Sequence, residues 1–377
     1  MRITYLANVR LPTERAYGIQ IINMCRAFSL AGIDVSLFFP YRISRAIRQN
    51  IFEYYSVEET FKAKRLWALD FYLPSFLNKF AFHLKNFFSA VSLAWCAFFA
   101  KSDFVYSRDE LPIFLLSFLR NNLCFEAHTF SDARRFYYRR FKNKKVRIIV
   151  ISDSLRQVFI REGFDPVNIM VAPDAVDLEV FGKQLSKTES RVGVGLPLTG
   201  DIVMYSGHLF EKKGAITLAE SARYLPDTFF VFIGGTERGI NQFNKKYSSR
   251  KNIIIVGHKP HKDIPRYLQA ADVLVLPNSG EESVSDKFTS PLKLFEYMAS
   301  RRVIIASDLP VLREVLNESN SVLVAPDSPD ILFKNIKYVL SNPELQDKLS
   351  NQAYEDVSGK TWNRRAVNIA NFLSQFV

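Results

Sequence analysis

The feature that most restricts what this chain can fold into is a recurrence of short, mainly apolar runs, nearly all closed by a Gly, Ser or Pro and the first by Asn8. RITYLA (2–7), IDVSLFFP (33–40), VRIIVIS (146–152), DIVMYSG (201–207), TFFVFIGG (228–235), NIIIVG (252–257), DVLVLP (272–277) and VIIAS (303–307) all have this form. Strands covered on both faces by helices have no polar alternate positions, so they read as continuous apolar runs. Between the first two runs, Ile21, Cys25 and Phe28 fall at i, i+4 and i+7, which predicts a helix from about Ile19 to Ala31, stopped by Gly32. Strand, helix and strand in this order make a βαβ unit and hence a parallel sheet. The 377 residues suffice for two such domains. Residues 182–200, polar and glycine-rich, are expected to link a first domain over 1–181 to a second over 201–361.

Composition narrows the partners. The net charge is +12, and residues 1–190 carry 27 Lys and Arg against 18 Asp and Glu, whereas 191–377 carry 23 against 20. A basic first half fits an anionic partner, whether a membrane surface, a lipid pyrophosphate or a nucleic acid. Residues 71–100, FYLPSFLNKFAFHLKNFFSAVSLAWCAFFA, are expected to form one or two helices, with burial in the core preferred to membrane contact. RRFYYRRFKNKKVR (134–147) has eight basic residues in fourteen, and a solvated helix face, a membrane patch and a nucleic-acid site all fit it. Cys25, Cys96 and Cys124 are odd in number and widely spaced, which fits a reduced cytoplasm. No run reaches the roughly 20 apolar residues that span a bilayer, and the start of the chain lacks a signal-peptide core. There is no Asp-x-Asp, no GxxxxGK and no GxGxxG, so a metal-bridged diphosphate site, a P-loop NTPase and a dinucleotide enzyme are all unsupported, and no metal is expected.

The chemistry concentrates in Asn278–Ser300. Ser290 is a strong N-cap, and Pro291 at the first helical position loses no hydrogen bond. The amides of Leu292 and Lys293 then have no backbone acceptor, and the Lys293 charge adds to the helix dipole, giving a site for a phosphate. Glu296, one turn on, can accept two hydrogen bonds from a sugar diol. Other candidates stand at strand ends, where open α/β sheets bind ligands. They are Gly18, His128 after LCFEAH, Lys213 after DIVMYSG, and Gly234 after TFFVFI. Glu126 points to the same face of its strand as His128 and is placed to orient it.

SPLKLFEYMAS followed by RRVIIASDLP resembles the donor-binding motif of the family 4 (group 1) retaining glycosyltransferases. The resemblance covers most of the chain, most strongly from about 146 to 377. It implies the GT-B fold, with two doubly wound Rossmann-like domains facing a cleft and the last helix, 362–377, crossing back to the first domain. On that helix Trp362, Ala366, Ile369, Leu373 and Phe376 share one stripe. The resemblance puts His128 beside the donor sugar and Gly18 in the loop where donor phosphate or acceptor approaches. Lys213 and Gly214 match the family's Lys-Gly pair, while His208 replaces its arginine with a titratable charge. By the same resemblance the diphosphate is held by His208, Lys213 and Ser290, Pro291, Leu292 and Lys293. Gly234 admits close backbone approach, the backbone at His258 reads the base, and Glu296 holds the ribose. The family's first acidic residue is absent, since Phe288 stands there.

The expected reaction is therefore metal-independent hexosyl transfer with His128 and Lys213 as catalytic groups. The expected donor is a UDP-sugar such as UDP-glucose in preference to GDP-mannose. The expected acceptor is a glycan or lipid-linked sugar of an envelope polysaccharide. The expected place is the cytoplasm, at an anionic inner membrane face, with no nucleic acid. A GT-B epimerase of the UDP-GlcNAc 2-epimerase type and a basic nucleic-acid-binding protein are the alternatives. Stabilisation by UDP or GDP, against salt-sensitive stabilisation by an oligonucleotide, separates the nucleotide-sugar readings from the last.

Overall fold

The computed structural model describes residues 1–42, 49–71, 78–209, 214–280 and 292–376. The chain forms two compact units, Met1–Asp174 with Trp362–Val377, and Ala175–Thr361.

The first unit is built on seven parallel strands. They are β1 (Arg2–Leu6), β2 (Asp34–Pro40), β3 (Lys62–Leu66), β4 (Phe104–Ser107), β5 (Leu123–Ala127), β6 (Arg147–Val150) and β7 (Ile169–Val171). Their order is β3-β2-β1-β4-β5-β6-β7. The sequence runs outward from β1 in one direction and then resumes on its other side, so β1 and β4 flank the switch point at which connecting loops diverge. The inner strands are apolar on both faces because helices cover both. Phe104, Val105 and Tyr106 of β4 are as buried as Ile148, Ile149 and Val150 of β6. The helix Ala16–Leu30 packs beside the helix Trp362–Ser374, which returns to this unit after the whole of the second. Trp362, Ala366, Ile369 and Leu373 are all buried there.

The second unit has six parallel strands. They are β8 (Ile202–Ser206), β9 (Phe229–Ile233), β10 (Ile253–Gly257), β11 (Val273–Leu276), β12 (Val303–Ser307) and β13 (Val322–Val324). Their order is β10-β9-β8-β11-β12-β13, which places the switch point between β8 and β11. Two apolar layers lie against this sheet, one around Met204, Leu274 and Ile304 and the other around Tyr205, Phe232 and Val275. Both units are therefore Rossmann-like, as the sequence led us to expect.

Three local expectations need correction. The 182–200 segment is an ordered part of the second unit, and the chain crosses between units at Asp174/Ala175 and Thr361/Trp362. Within 182–200 the helix Lys187–Val194 has a capping box between Ser186 and Glu189. Arg191 is buried, donating to the carbonyls of Ala270 (3.0 Å) and Gly200 (2.9 Å) and to the Asp272 carboxylate (2.6 Å). One buried arginine thus anchors a stretch whose composition reads as a linker. Gly18 lies in the first turn of its helix, not in the preceding loop. The space a side chain would need there is filled by the Tyr55 hydroxyl and the Thr13 methyl. Finally, the aromatic residues of the helix Asn78–Phe99 are not core: its small residues face inward and its large ones outward.

Candidate functional site

Each unit gathers polar side chains at the carboxyl ends of its strands. In the first unit the centre is Glu126, fully buried near the end of β5. Its carboxylate accepts from Gln20 Nε2 at 2.6 Å, from Arg365 Nη2 at 2.8 Å and from the Tyr106 hydroxyl. His128 Nε2 lies 2.8 Å from the same carboxylate. Gln20 is itself held by Arg108, whose Nη1 donates to its Oε1 at 2.7 Å. Arg365, from the returning helix, also donates to the carbonyls of Ala172 (3.0 Å) and Pro173 (2.8 Å).

The electrostatics follow from these partners. Burial works against the Glu126 charge, but the Arg365 guanidinium and the His128 bond outweigh it and hold the carboxyl well below the usual range. Burial lowers the His128 pKa, and the Arg108 charge lowers it further, so the ring is neutral near pH 7. A carboxylate only accepts, so the ring nitrogen facing Glu126 carries the proton and Nδ1 is left as an acceptor. Asp174 lies close by. Its carboxyl oxygen, Glu126's and a His128 nitrogen fall within 4.8 Å of one another. Asp174 is buried, its Oδ1 has no hydrogen-bond partner among the described residues, and burial raises its pKa. These three groups are poor metal ligands as a set, because Arg365 already occupies Glu126 and Arg108 adds a second positive charge. An acceptor nitrogen and an unsatisfied carboxyl suit a hydroxyl-rich ligand instead. At the switch point the Asn8 amide donates to Asp109 at 2.7 Å, and burial nevertheless pushes the Asp109 carboxyl up to about 6.

In the second unit the loops after β8, β9 and β10 approach one another closely. The Gly207 amide donates to the Ile233 carbonyl, and the Gly234 amide to the Gly257 carbonyl, both at 2.8 Å. Gly234 has φ +102°, and a Cβ there would meet the Gly207 carbonyl oxygen at 2.6 Å, so only glycine fits. Gly214 has φ +72° and abuts the Pro277 carbonyl, which brings the loops after β8 and β11 together at the switch point. Tyr205 links two predicted site residues: its hydroxyl donates to the His208 carbonyl at 2.8 Å, and Lys293 Nζ stands 4.4 Å from its ring centre. The helix Leu292–Ala299 is tied to β8 by Tyr297, whose hydroxyl accepts from the Ser206 amide at 2.7 Å. Glu296, one turn further along from Leu292 and Lys293, is nearly buried and lies 2.7 Å from His261 Nε2.

The structure thus assembles His208, Gly234, Leu292, Lys293 and Glu296 at one strand-end face of the second unit, and His128 at that of the first. His208 and His258 are both exposed, on the loops after β8 and β10. Lys213, Ser290, Pro291 and Phe288 lie outside the described residues. Sequence reasoning missed Arg108, Asp109 and Asp174 around His128, and Arg365 behind it. It also missed His261 and Tyr297 beside Glu296. Only His261 had a local hint, standing three positions after His258 in the same loop.

Residues 186–356 match the family model of glycosyl transferases group 1. The chain is similar to an Escherichia coli UDP-Gal:alpha-D-GlcNAc-diphosphoundecaprenol alpha-1,3-galactosyltransferase, with 31% identity over 36% of this chain and 37% of that one. It is also similar to the Bacillus subtilis putative teichuronic acid biosynthesis glycosyltransferase TuaC, with 26% identity over 56% of this chain and 51% of that one. It therefore spans about half or less of these curated relatives. Among solved structures, Anabaena Alr3699/HepE in complex with UDP and glucose matches with a TM-score of 0.75 at 16% identity, over 100% of both chains. The sucrose-phosphate synthase of Thermosynechococcus elongatus matches with a TM-score of 0.77 at 19% identity, over 99% of this chain and 98% of that one. At these identities the structural matches establish the fold class, two Rossmann-like domains of the GT-B kind. The match to the group 1 model falls within the second unit.

Proposed function

We propose, from the match of residues 186–356 to the group 1 glycosyl transferase model, that this chain is a family 4 retaining hexosyltransferase. It takes a hexose from a UDP-sugar such as UDP-glucose and passes it to a glycan or lipid-linked acceptor in envelope polysaccharide synthesis, at the inner face of the cytoplasmic membrane. The observation that carries this reading is the face built by Gly207, Gly234, Lys293 and Glu296. Its backbone closeness and its cation suit a diphosphate, and its carboxylate suits a ribose diol. Lys213, His208 and residues 290–293 hold the diphosphate, whose developing charge on departure is the main quantity to be stabilised. His128, neutral and with Nδ1 as acceptor, takes a hydroxyl of the transferred sugar. The relatives named above for UDP-galactose and for UDP with glucose support a uridine donor.

The test is direct. UDP is expected to raise the melting temperature more than GDP or ADP does. With donor and acceptor supplied, transfer is expected to persist in excess EDTA, since fixed cations take the place of a metal. Turnover lost to chelator and restored by Mg²⁺ or Mn²⁺ would refute the metal-independent site, and NMR of the product's anomeric carbon reads retention directly.

Glu296→Gln is expected to weaken UDP binding about tenfold, the smaller end of what a charge-assisted bond contributes, about 1.5–3 kcal/mol. His261 uses Glu296 Oε1, which leaves Oε2 to face a diol. Calorimetry that finds the affinity unchanged removes Glu296 from the ribose site.

A further inference from the structure

The helix Asn78–Phe99 is amphipathic in an inverted sense. Ala81, Ala90, Leu93, Ala94 and Ala97 are its buried positions, and Ser89 is buried with them. The small side chains let the helix lie close to β1 and β2. Its outward stripe is Phe80, Phe87, Val91, Trp95 and Phe98, every one exposed, with Phe80 at 61% and Trp95 at 64%. These positions follow the helical repeat, so they form one continuous ridge. Trp67, 75% exposed, stands beside this helix, since Ser92 Oγ donates to the Trp67 carbonyl at 2.7 Å. Large aromatic residues in this number on an exposed face mark a docking surface.

Charge decides what docks. No Asp or Glu occurs between Asp70 and Asp103, whereas Lys79, Lys85 and Lys101 do. Asp70 at its edge is engaged by Lys85 (3.1 Å) and Arg42 (3.7 Å). The neighbouring helix Glu110–Leu116 packs on both this helix and the basic helix Arg135–Asn143. At that junction the exposed Phe118 carries the Arg140 guanidinium 4.0 Å above its ring. Arg139 and Lys145 are exposed, with no ion pair among the described residues. The ridge itself carries no acid and has cations around it, while Glu110, Asp132 and Glu162 at the basic helix are each paired with Arg134 or Arg135; such a surface complements an anionic lipid interface. A second copy of this chain would set these cations against their own like. No helix among the described residues is long and apolar enough to cross a membrane, so the ridge lies in the plane of the interface.

We propose that the first unit docks on anionic phospholipid bilayers through the aromatic ridge of residues 80–98 and Trp67, with the basic helix Arg135–Asn143 contacting headgroups. This gives the membrane placement suggested above a specific surface, but it stands on the geometry of this face alone, and vesicle binding reads it without reference to transfer. The full chain is expected to cosediment with phosphatidylcholine vesicles that contain phosphatidylglycerol, and roughly tenfold less with phosphatidylcholine alone, with binding falling as salt rises. Phe87→Ser/Trp95→Ser is expected to lose roughly tenfold in vesicle binding with the melting temperature unchanged, because both side chains are exposed. In the wild type, lipids brominated on the acyl chain are expected to quench tryptophan fluorescence, a reading that needs no variant. Absence of vesicle binding, or of quenching, overturns the proposal. So does a double variant that binds like the wild type, or a wild-type dimer that the same substitutions dissociate. Preference for an oligonucleotide over the anionic vesicles overturns it as well.

Discussion

Arg365→Met is expected to destabilise the first unit by about 3–5 kcal/mol, the cost of leaving a buried charge without its counter-ion. Arg365 is the one full positive charge in contact with Glu126 among the described residues, and both are buried. Methionine keeps much of the volume, so packing contributes little to the loss. Glu126→Gln/Arg365→Met, which removes both charges, is expected to recover more than half of it, and a double-mutant cycle isolates the pair. The pH dependence has a definite sign. Glu126 has a depressed folded pKa, so its charge contributes stability above the unfolded value near 4.3, and that contribution is lost as pH falls. Without Arg365 the carboxyl rises toward or past that value, so the variant's deficit is largest at neutral pH and narrows below about pH 4.3. Urea unfolding at both pH values, followed with a probe in the first unit, tests this. A single variant within about 1 kcal/mol of wild type, the usual surface-pair value, contradicts it.

The second large effect is on turnover. Under the proposed function, His128→Ala is expected to lower transfer about 10²–10³-fold, the magnitude seen when one preorganised hydrogen-bonding group is removed from a reacting centre. UDP stabilisation should be retained, because the nucleotide is held by the second unit. His128→Ala is a test of contact with the sugar; Glu126→Gln is a test of positioning. The amide still accepts from Nε2–H but no longer favours one tautomer, so its loss is expected to be smaller and to depend more on pH. Full activity in His128→Ala would remove this histidine from the reaction.

The parts of this structure that the sequence disclosed are those with a local signature. Apolar runs between helical spacings marked the strands, strand ends marked His128 and Gly234, and the family resemblance alone marked His208. The spacing from Lys293 to Glu296 put both at the start of one helix. What stayed hidden depends on partners distant in sequence. Arg365 reaches Glu126 across 239 positions, and His261 reaches Glu296 across 35, and neither pairing leaves a trace in its own neighbourhood. Two misreadings have physical causes of the same sort. The 182–200 segment is polar in composition, yet Arg191 satisfies its charge inside the fold at Asp272. The periodicity of residues 78–99 shows that two stripes exist but not which faces inward, and here the close approach of the helix to the sheet selects the alanines.

Because the first unit is interrupted by the whole of the second, the ribosome delivers its parts far apart in time. Glu126 leaves the exit tunnel early and waits for more than two hundred further residues before Arg365 follows. The first unit has all seven of its strands by Val171, yet it lacks its last helix until the whole second unit, contiguous from Ala175 to Thr361, has been made. A nascent chain stalled before Trp362 holds an acid with its cation still untranslated. It is this state, exposed and incomplete, that chaperones and proteases meet first.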